Sequence, residues 1–301
     1  MLKNIMLNNY LKQKFYYFLG LFIGLSSRVK KFILRLNSPR PRMLPLSDYK
    51  KNLDYDQNIL NTLSELSGDY HLFENKKILE IGPGPDLLLG LLTLESGAES
   101  YSAIDYFPVL SAPLSFYENL KKDLRAPKAL RAVENILSSL PADKPIDSPE
   151  INYQILGIEK LLETKNKYDL IFSKDVLEHV DDLNSAFRAM RASLIAGGRM
   201  IHKIDFQTHT SFIQDKDRLN FLRYNNYIYN NFVKFKGGPN RLRLPEVISL
   251  AKANGFEIEK IQIDKQMEAD ELKKSKRFLS EYYRNLDDSS LLPLSAWIIF
   301  H

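Results

Sequence analysis

Seven residues, Glu80-Ile-Gly-Pro-Gly-Pro-Asp86, constrain this chain more than any others. They follow the apolar run that starts at Lys76 and reads as a buried strand, and they precede the leucine-rich stretch 86–95, which reads as a helix. A strand that turns on glycines into a helix lets a ligand approach the main chain where a side chain would block it. The helix then offers unpaired N–H groups at its start. This is how doubly wound sheets hold nucleotides beyond the carboxyl ends of their strands.

Further segments repeat the strand-then-helix rhythm. Strands are expected at 100–105, 151–156, 168–173, 199–205, 256–263 and 294–300, in addition to 76–82. Helices are expected at 53–67 with Gly68 as a stop, near 113–124, at 181–194 with Gly197-Gly198 as a cap, at 244–254 and over 268–285. Alternation of this kind implies a doubly wound α/β fold with a mainly parallel, seven-stranded sheet. The last pair lacks the rhythm and predicts an antiparallel edge strand. Two stretches interrupt the pattern. Residues 106–150 contain a loop with Pro141, Pro145 and Pro149, and residues 207–243 are polar and aromatic and predict a cap with Phe221, Tyr224, Tyr227, Tyr229 and Phe232 at its core. The domain is assigned to 46–301, with 1–45 as a basic, aromatic helical extension that ends in a proline-rich linker, Ser38–Pro45.

Composition narrows the partners. The 301 residues include no cysteine, which excludes disulfides and thiolate metal sites. Lys and Arg number 42 against 37 Asp and Glu, a mild excess, and no basic aromatic motif of a nucleic-acid module is present, so no nucleic-acid partner is expected. The apolar run Phe15–Leu25 is eleven residues long. That is well short of the roughly 20 that span a bilayer. With Lys12, Lys14, Arg28, Lys30 and Lys31 around it, it fits a helix lying at a membrane surface or, equally, one packed on the domain or on a second subunit. The expected location is the cytoplasm, with peripheral contact at the inner membrane face on the first of these readings. Nothing in the sequence sets the number of subunits.

Asp105, nineteen residues after Asp86, ends the next strand, where an acid can accept two hydrogen bonds from a ribose diol. A dinucleotide fingerprint would carry a third glycine, but Leu87 stands there. At this point the sequence resembles the class I, Rossmann-like S-adenosylmethionine methyltransferases, and among them the methyltransferase-domain group that includes the ubiquinone-type enzymes. The likeness lies in Glu80–Gly84, in Asp105, in Tyr168-Asp-Leu-Ile-Phe-Ser-Lys-Asp-Val-Leu-Glu-His-Val180, in the Leu194–Gly198 turn and in Gly255-Phe256. It implies S-adenosylmethionine as cofactor, held by Glu80, Gly82, Gly84, Asp105 with Tyr106, Glu159 for the adenine amino group, and Ser173 and Asp175.

The acceptor is open to several readings. A looser likeness, through His202–Asp205, His209 and Asn240–Pro245, is to methyltransferases of polysaccharide gene clusters. On that reading the substrate is a small molecule or cell-surface glycan, methylated at oxygen. His179, His202 or His209, with Asp205, would take the hydroxyl proton, because imidazole titrates near neutrality. Arg241 and Arg243 would clamp an acidic group of the substrate, unless they merely form surface salt bridges. The histidines and acid are expected to make plain polar contacts, with no metal. The alternatives are a lipid or quinone methyltransferase at the membrane, and a non-catalytic protein that keeps the fold.

Overall fold

The computed structural model describes residues 11–26, 49–139, 145–235 and 237–301. The Ser38–Pro45 linker, Pro141 and the cations Arg28, Lys30 and Lys31 lie outside them. The strands are β1 (Lys77–Ile81), β2 (Ser100–Asp105), β3 (Ile146–Asp147), β4 (Ile151–Ile155), β5 (Tyr168–Lys174), β6 (Leu194–Asp205), β7 (Ile258–Gln266) and β8 (Pro293–Phe300). Their order across the sheet is β3-β4-β2-β1-β5-β6-β8-β7. β4, β2, β1, β5 and β6 are parallel; β8 runs antiparallel to both β6 and β7.

The helices are α1 (residues 11–26), α2 (Tyr49–Ser67), α3 (Leu88–Glu95), α4 (Leu114–Asp123), α5 (Pro127–Ser139), α6 (Leu183–Ser193), α7 (Ser211–Gln214), α8 (Asn226–Ile228), α9 (Leu244–Ala253), α10 (Ala269–Lys276), α11 (Glu281–Arg284) and α12 (Asp288–Leu291). Side chains along each strand point alternately to the two faces. Ile78, Leu170, Phe172, Trp297 and Ile299 therefore join the core under α2, α3, α4 and α5. Leu79, Ile81, Ile171, Ile298 and Phe300 join the core under α6 and α9. The chain crosses from one face to the other between β4 and β5, which makes the gap beyond β1 and β5 the topological switch point where such folds bind ligands.

The doubly wound sheet is as expected, with corrections in detail. The sheet has eight strands, because Ile146 and Asp147 add a two-residue edge too short to carry a strand pattern. The expected antiparallel edge strand is β7, paired with β8, and all eight residues of β8 are buried, as befits a strand flanked on both sides. The edge is β7, exposed along nearly its whole length and studded with Lys260, Asp264 and Lys265, charges that discourage pairing with another chain. Gly197-Gly198 do not cap α6. The helix stops at Ser193, Leu194 pairs with Tyr168 and Arg199 with Leu170, so residues 195–198 bulge out of β6, with Gly197 at φ +77°.

Residues 106–150 hold α4 and also α5, whose buried Ala129, Ala132, Val133 and Ile136 follow helical spacing. The helix expected over 268–285 is two, α10 and α11. Residues 207–243 share a hydrophobic cluster with α10–α12, and the two together are called the cap. Phe221, Tyr224 and Tyr229 lie in its core, together with Leu272, Tyr283 and Leu294, whereas Tyr227 is exposed.

α1 rests on this cap. Asn220 Nδ2 donates to the Tyr16 carbonyl at 3.1 Å, Tyr224 Oη to the Tyr17 carbonyl at 2.8 Å, and the Arg223 guanidinium to Gln13. Gly20 and Gly24 allow the close approach: a Cβ on Gly20 would stand 2.4 Å from Tyr224 Oη. The opposite face carries Leu11, Phe15, Phe18, Phe22 and Leu25, all exposed, with Phe22 at 68%. Among the described residues no helix is long and apolar enough to cross a membrane.

Candidate active site

The turn after β1 has the backbone its glycines imply. Gly82 and Gly84 sit at φ +71° and +80°. A Cβ on Gly82 would come within 2.6 Å of Val176 Cγ2, whereas nothing lies within 4 Å of one on Gly84, which leaves space for a ligand against the main chain. Asp86 Oδ1 accepts from the N–H of Leu88, the first residue of α3, at 3.0 Å. Leu87, in place of a third glycine, is fully buried in the core.

Four carboxyl groups converge on this turn. Glu80 is buried at the end of β1 and accepts a 2.6 Å hydrogen bond from Tyr101 Oη. The Tyr101 ring reaches it because α3 has glycine at position 90; a Cβ there would fall 1.9 Å from Tyr101 Cζ. Burial pushes Glu80 up to about 8, against the Tyr101 hydrogen bond, and neighbouring Asp56, Asp86 and Asp105 add to the rise. Burial likewise raises Asp56, on α2, to about 7, with Asp86 adding and Lys174 opposing. Asp86 and Asp105 each rise to about 6 through burial, and main-chain N–H groups hold them back: Leu88 for Asp86, and Phe107, Gly84 and Tyr106 for Asp105. Partly dehydrated carboxyls that resist ionisation together are a site short of positive charge. S-adenosylmethionine, which carries a sulfonium and an ammonium, fits that deficit, and the open main chain at Gly84 fits its approach. Tyr106 stands exposed next to Asp105, edge to face with Phe107. Glu159 lies in the turn after β4, its carboxylate folded back over Gly157. Asp56 escapes a reading of the sequence, since it sits on a helix 24 positions before Glu80 with no local motif to mark it.

A second cluster lies past the ends of β5 and β6. Asp175 takes φ +56° directly after β5. The short turn Leu177–His179 follows, and Asn240 of the cap stitches it down, donating from Nδ2 to the Leu177 and Val180 carbonyls and from its N–H to the Glu178 carbonyl. Glu178 is 3% exposed, and neither carboxyl oxygen has a hydrogen bond of normal geometry. Burial pushes it well above the ordinary range; Asp175 and Asp205 add to this, and the nearby N–H groups of Glu178 and Asp205 offset it only in part. The His179 ring lies 4.7 Å from that of His209, edge on. His179 is lowered to about 4, by burial first and by His209 second, so it is neutral at neutral pH. His209 Nε2 faces Asp205 Oδ2 at 3.6 Å, and Asp205 Oδ1 accepts from Gln207. Asp205 is held below its ordinary value: burial would raise it, but His209 and Gln207 prevail.

The structure therefore brings His179, His209 and Asp205 together, with Glu178 as a member that only its place in the fourth-strand motif could have flagged. Other expected members of the site lie elsewhere. His202 is fully buried within the sheet, shares a 2.7 Å hydrogen bond with Ser173 Oγ, packs near Phe300 and is lowered by burial to about 3. Both side chains point from adjacent strands into the helix-covered face, so neither contacts a ligand beyond the strand ends. Arg241 and Arg243 are interior too. Arg243 donates to the carbonyls of Phe206, Ser290, Leu291 and Pro293, and Arg241 to those of Phe221 and Tyr224 and to Asn226. The expected substrate clamp is instead the tie that satisfies main-chain carbonyls of the irregular cap. The surface groove between Gln57, Asn61, Ser64, Tyr70 and Ser96 runs along the second half of α2 to the carboxyl end of α3 and is lined by none of the residues of either cluster.

Fold and site together describe a doubly wound α/β protein with an open, acid-lined glycine turn at its switch point. The sequence matches the family described as methyltransferase domain over residues 49–261, and the chain belongs to that family: it is a class I methyltransferase and its methyl donor is S-adenosylmethionine. No curated protein matches the sequence. Among solved structures it is similar to an S-adenosylmethionine dependent methyltransferase from Listeria monocytogenes (16% identity, 78% of this chain and 95% of that one, TM-score 0.44). It is also similar to one from Mesorhizobium loti (15% identity, 76% and 91%, TM-score 0.41). A third is magnesium protoporphyrin IX methyltransferase from Synechocystis PCC 6803 with bound SAH (11% identity, 95% and 98%, TM-score 0.44).

Proposed function

We propose that this methyltransferase acts on a hydroxyl group of a small molecule or cell-surface glycan. The observation that carries the reading is the polar cluster of Glu178, His179, Asp205 and His209 beyond β5 and β6. A sulfonium methyl is reactive enough that amines and thiols need little help, whereas an alcohol must lose its proton as it attacks, and a cluster of this kind serves that need. When bound, the cofactor supplies an electrophilic methyl group and leaves as the neutral thioether. The chain does the rest. Gly82 and Gly84 leave room at the main chain, Asp105 receives the ribose diol, Glu80 faces the methionine ammonium, and Glu159 accepts from the adenine amino group. Asp175, Tyr106 and the cap wall the cleft, and holding the acceptor in line supplies ~7–11 kcal/mol of the barrier reduction. The cluster removes the acceptor proton, and Asp205, anionic next to His209, offsets the positive charge that develops there.

One observation favours a second acceptor class. The exposed stripe of α1, with cations before and after it in the sequence, is suited to the surface of a membrane, where the acceptor would be a lipid or quinone. Methyl transfer from labelled S-adenosylmethionine to soluble glycans and to quinone- or lipid-bearing vesicles compares the two directly. Incorporation into sugars alone supports the first reading; incorporation only in vesicles replaces it with the second. A folded protein that binds neither S-adenosylmethionine nor S-adenosylhomocysteine would refute both.

A further inference from the structure

We infer that Glu178, His179 and His209, with Asp205, form a binding site for one divalent transition-metal ion at the acceptor end of the cleft. One ligand atom from each of Glu178, His179 and His209 lies within 4.8 Å of the other two. Both oxygens of Glu178, Nδ1 of His179 and Nε2 of His209 are buried without a hydrogen bond of normal geometry; the main-chain N–H groups of Glu178 and Asp205 compensate the carboxyl only in part, and His209 Nε2 stands 3.6 Å from Asp205 Oδ2. A buried carboxyl with no cation beside it is costly, and a single water with two hydrogens cannot serve both Glu178 oxygens and His179 Nδ1. A cation meets all of them at once.

The surroundings are those of a ligand set rather than a chance gathering. The His179 ring hydrogen-bonds the Gly237 main chain, and since Nδ1 is buried without a hydrogen-bond partner the donor is Nε2 and the Nδ1 lone pair is left for a ligand bond. Metal-bound imidazoles are commonly fixed in this way through their second nitrogen. Asp205 is anchored through Oδ1 by Gln207, which leaves Oδ2, 3.6 Å from His209 Nε2, as a fourth donor. Asn240 fixes the turn that carries Glu178 and His179. Two imidazoles and two carboxylates suit Zn²⁺, Mn²⁺, Co²⁺ or Fe²⁺ better than Mg²⁺ or Ca²⁺, which take oxygen ligands. Metal–ligand bonds of roughly 2.0–2.2 Å place donors a little over ~3 Å apart, so binding draws the three residues inward by about 1 Å.

The consequence for chemistry rests on the hydroxyl-methylation reading above. The acceptor oxygen binds the ion and its O–H bond breaks with the proton passing to solvent. The oxygen then forms its bond to the methyl carbon as the carbon–sulfur bond breaks. His209 is on this account a ligand rather than the base.

The test is calorimetric titration of the chelator-stripped full chain with ZnCl2 and MnCl2 separately, alongside S-adenosylhomocysteine. Expected are one ion per chain, an X-ray absorption spectrum with only nitrogen and oxygen neighbours, and at least ~100-fold weaker metal binding in Glu178→Gln and His209→Ala, beyond the roughly 10–100-fold that even an outer-shell partner contributes. Affinity for S-adenosylhomocysteine stays within a factor of a few in both. Asp205→Asn, expected at tenfold weaker or more, takes the place of any variant that fails to fold. No metal uptake by protein that binds S-adenosylhomocysteine, or unchanged metal affinity in the variants, overturns the proposal. Metal uptake by protein that fails to bind S-adenosylhomocysteine would uphold the metal site and refute the cofactor site instead.

Discussion

Replacing Tyr101 with phenylalanine removes one oxygen atom and leaves the ring packed against Gly90. The lost group is the donor of the 2.6 Å hydrogen bond to Glu80. A hydrogen bond to a charged group is worth about 1.5–3 kcal/mol. At 1.36 kcal/mol per pKa unit, that moves the Glu80 carboxyl up by roughly one to two units. Glu80 already stands at about 8, so in the variant it stays protonated well into alkaline pH. The sign follows from the charges. On the proposed assignment the cofactor's ammonium binds to the ionised form, so affinity in the parent rises with pH and levels off above about 8; in Tyr101→Phe the rise is displaced upward. At pH 7 binding of S-adenosylhomocysteine should weaken by ~10–100-fold, at 1.4 kcal/mol per decade, and the deficit should shrink toward pH 10. Linkage imposes a companion effect on the unliganded fold. The folded value lies above the ordinary 4.5, so stability is lost as pH climbs from 4.5 to about 8, and cofactor binding at pH 7 releases protons. The assay is calorimetric titration between pH 6 and 10 in buffers of differing ionisation enthalpy. Equal affinities at pH 7 with the same pH midpoint would refute the assignment of Glu80 to the cofactor's cationic end.

Other perturbations separate binding from architecture. Gly82→Ala forces a side chain into a φ of +71° and against Val176, and should abolish detectable cofactor binding while circular dichroism stays that of the parent. Arg243→Met removes a guanidinium that serves four carbonyls and should cost about 3–5 kcal/mol, a fall in Tm on the order of 10 °C; a loss of substrate affinity with unchanged Tm would restore the clamp reading. Phe15, Phe18 and Phe22 changed together to serine should abolish flotation with anionic liposomes with little change in Tm, because their side chains are exposed; flotation equal to the parent would rule out this stripe as the membrane contact.

The parts that sequence displays well are those with local rules. The glycine turn requires positive φ, the proposed ribose acid ends a strand, and alternating apolar runs mark the sheet, so Gly82, Gly84, Asp105 and the parallel strands are all legible. What escapes is set by distance or by direction. Asp56 joins the site from a helix that no motif marks. Ser173 looks like a rim residue because it ends an expected strand, and His202 because it lies near the end of the next, but the two-residue alternation sends their side chains into the covered face. Arg241 and Arg243 read as a substrate clamp or a surface salt-bridging pair because they stand just before a helix; here the irregular cap leaves carbonyls without donors, and the arginines are drawn in to meet them. The interior place of β8 follows from long-range pairing and is invisible to periodicity.

That place of β8 has a consequence for the order in which the molecule can assemble. Strands β1, β2, β4 and β5 draw their residues from the first 174 positions, so the cofactor half of the sheet can form while later segments are still being made. The other half cannot grow outward in turn. β7 is available before β8, but its neighbour is β8, not β6. Until Pro293–Phe300 slot between them, β6 presents an unpaired edge bearing Met200, Ile201 and Ile204, and β7 has nothing to hold it. Such an edge is sticky, and the long-range closure that removes it is slow. A chain cut short before residue 293 would thus keep every residue of both clusters and still be prone to join other chains edge to edge before reaching the native state.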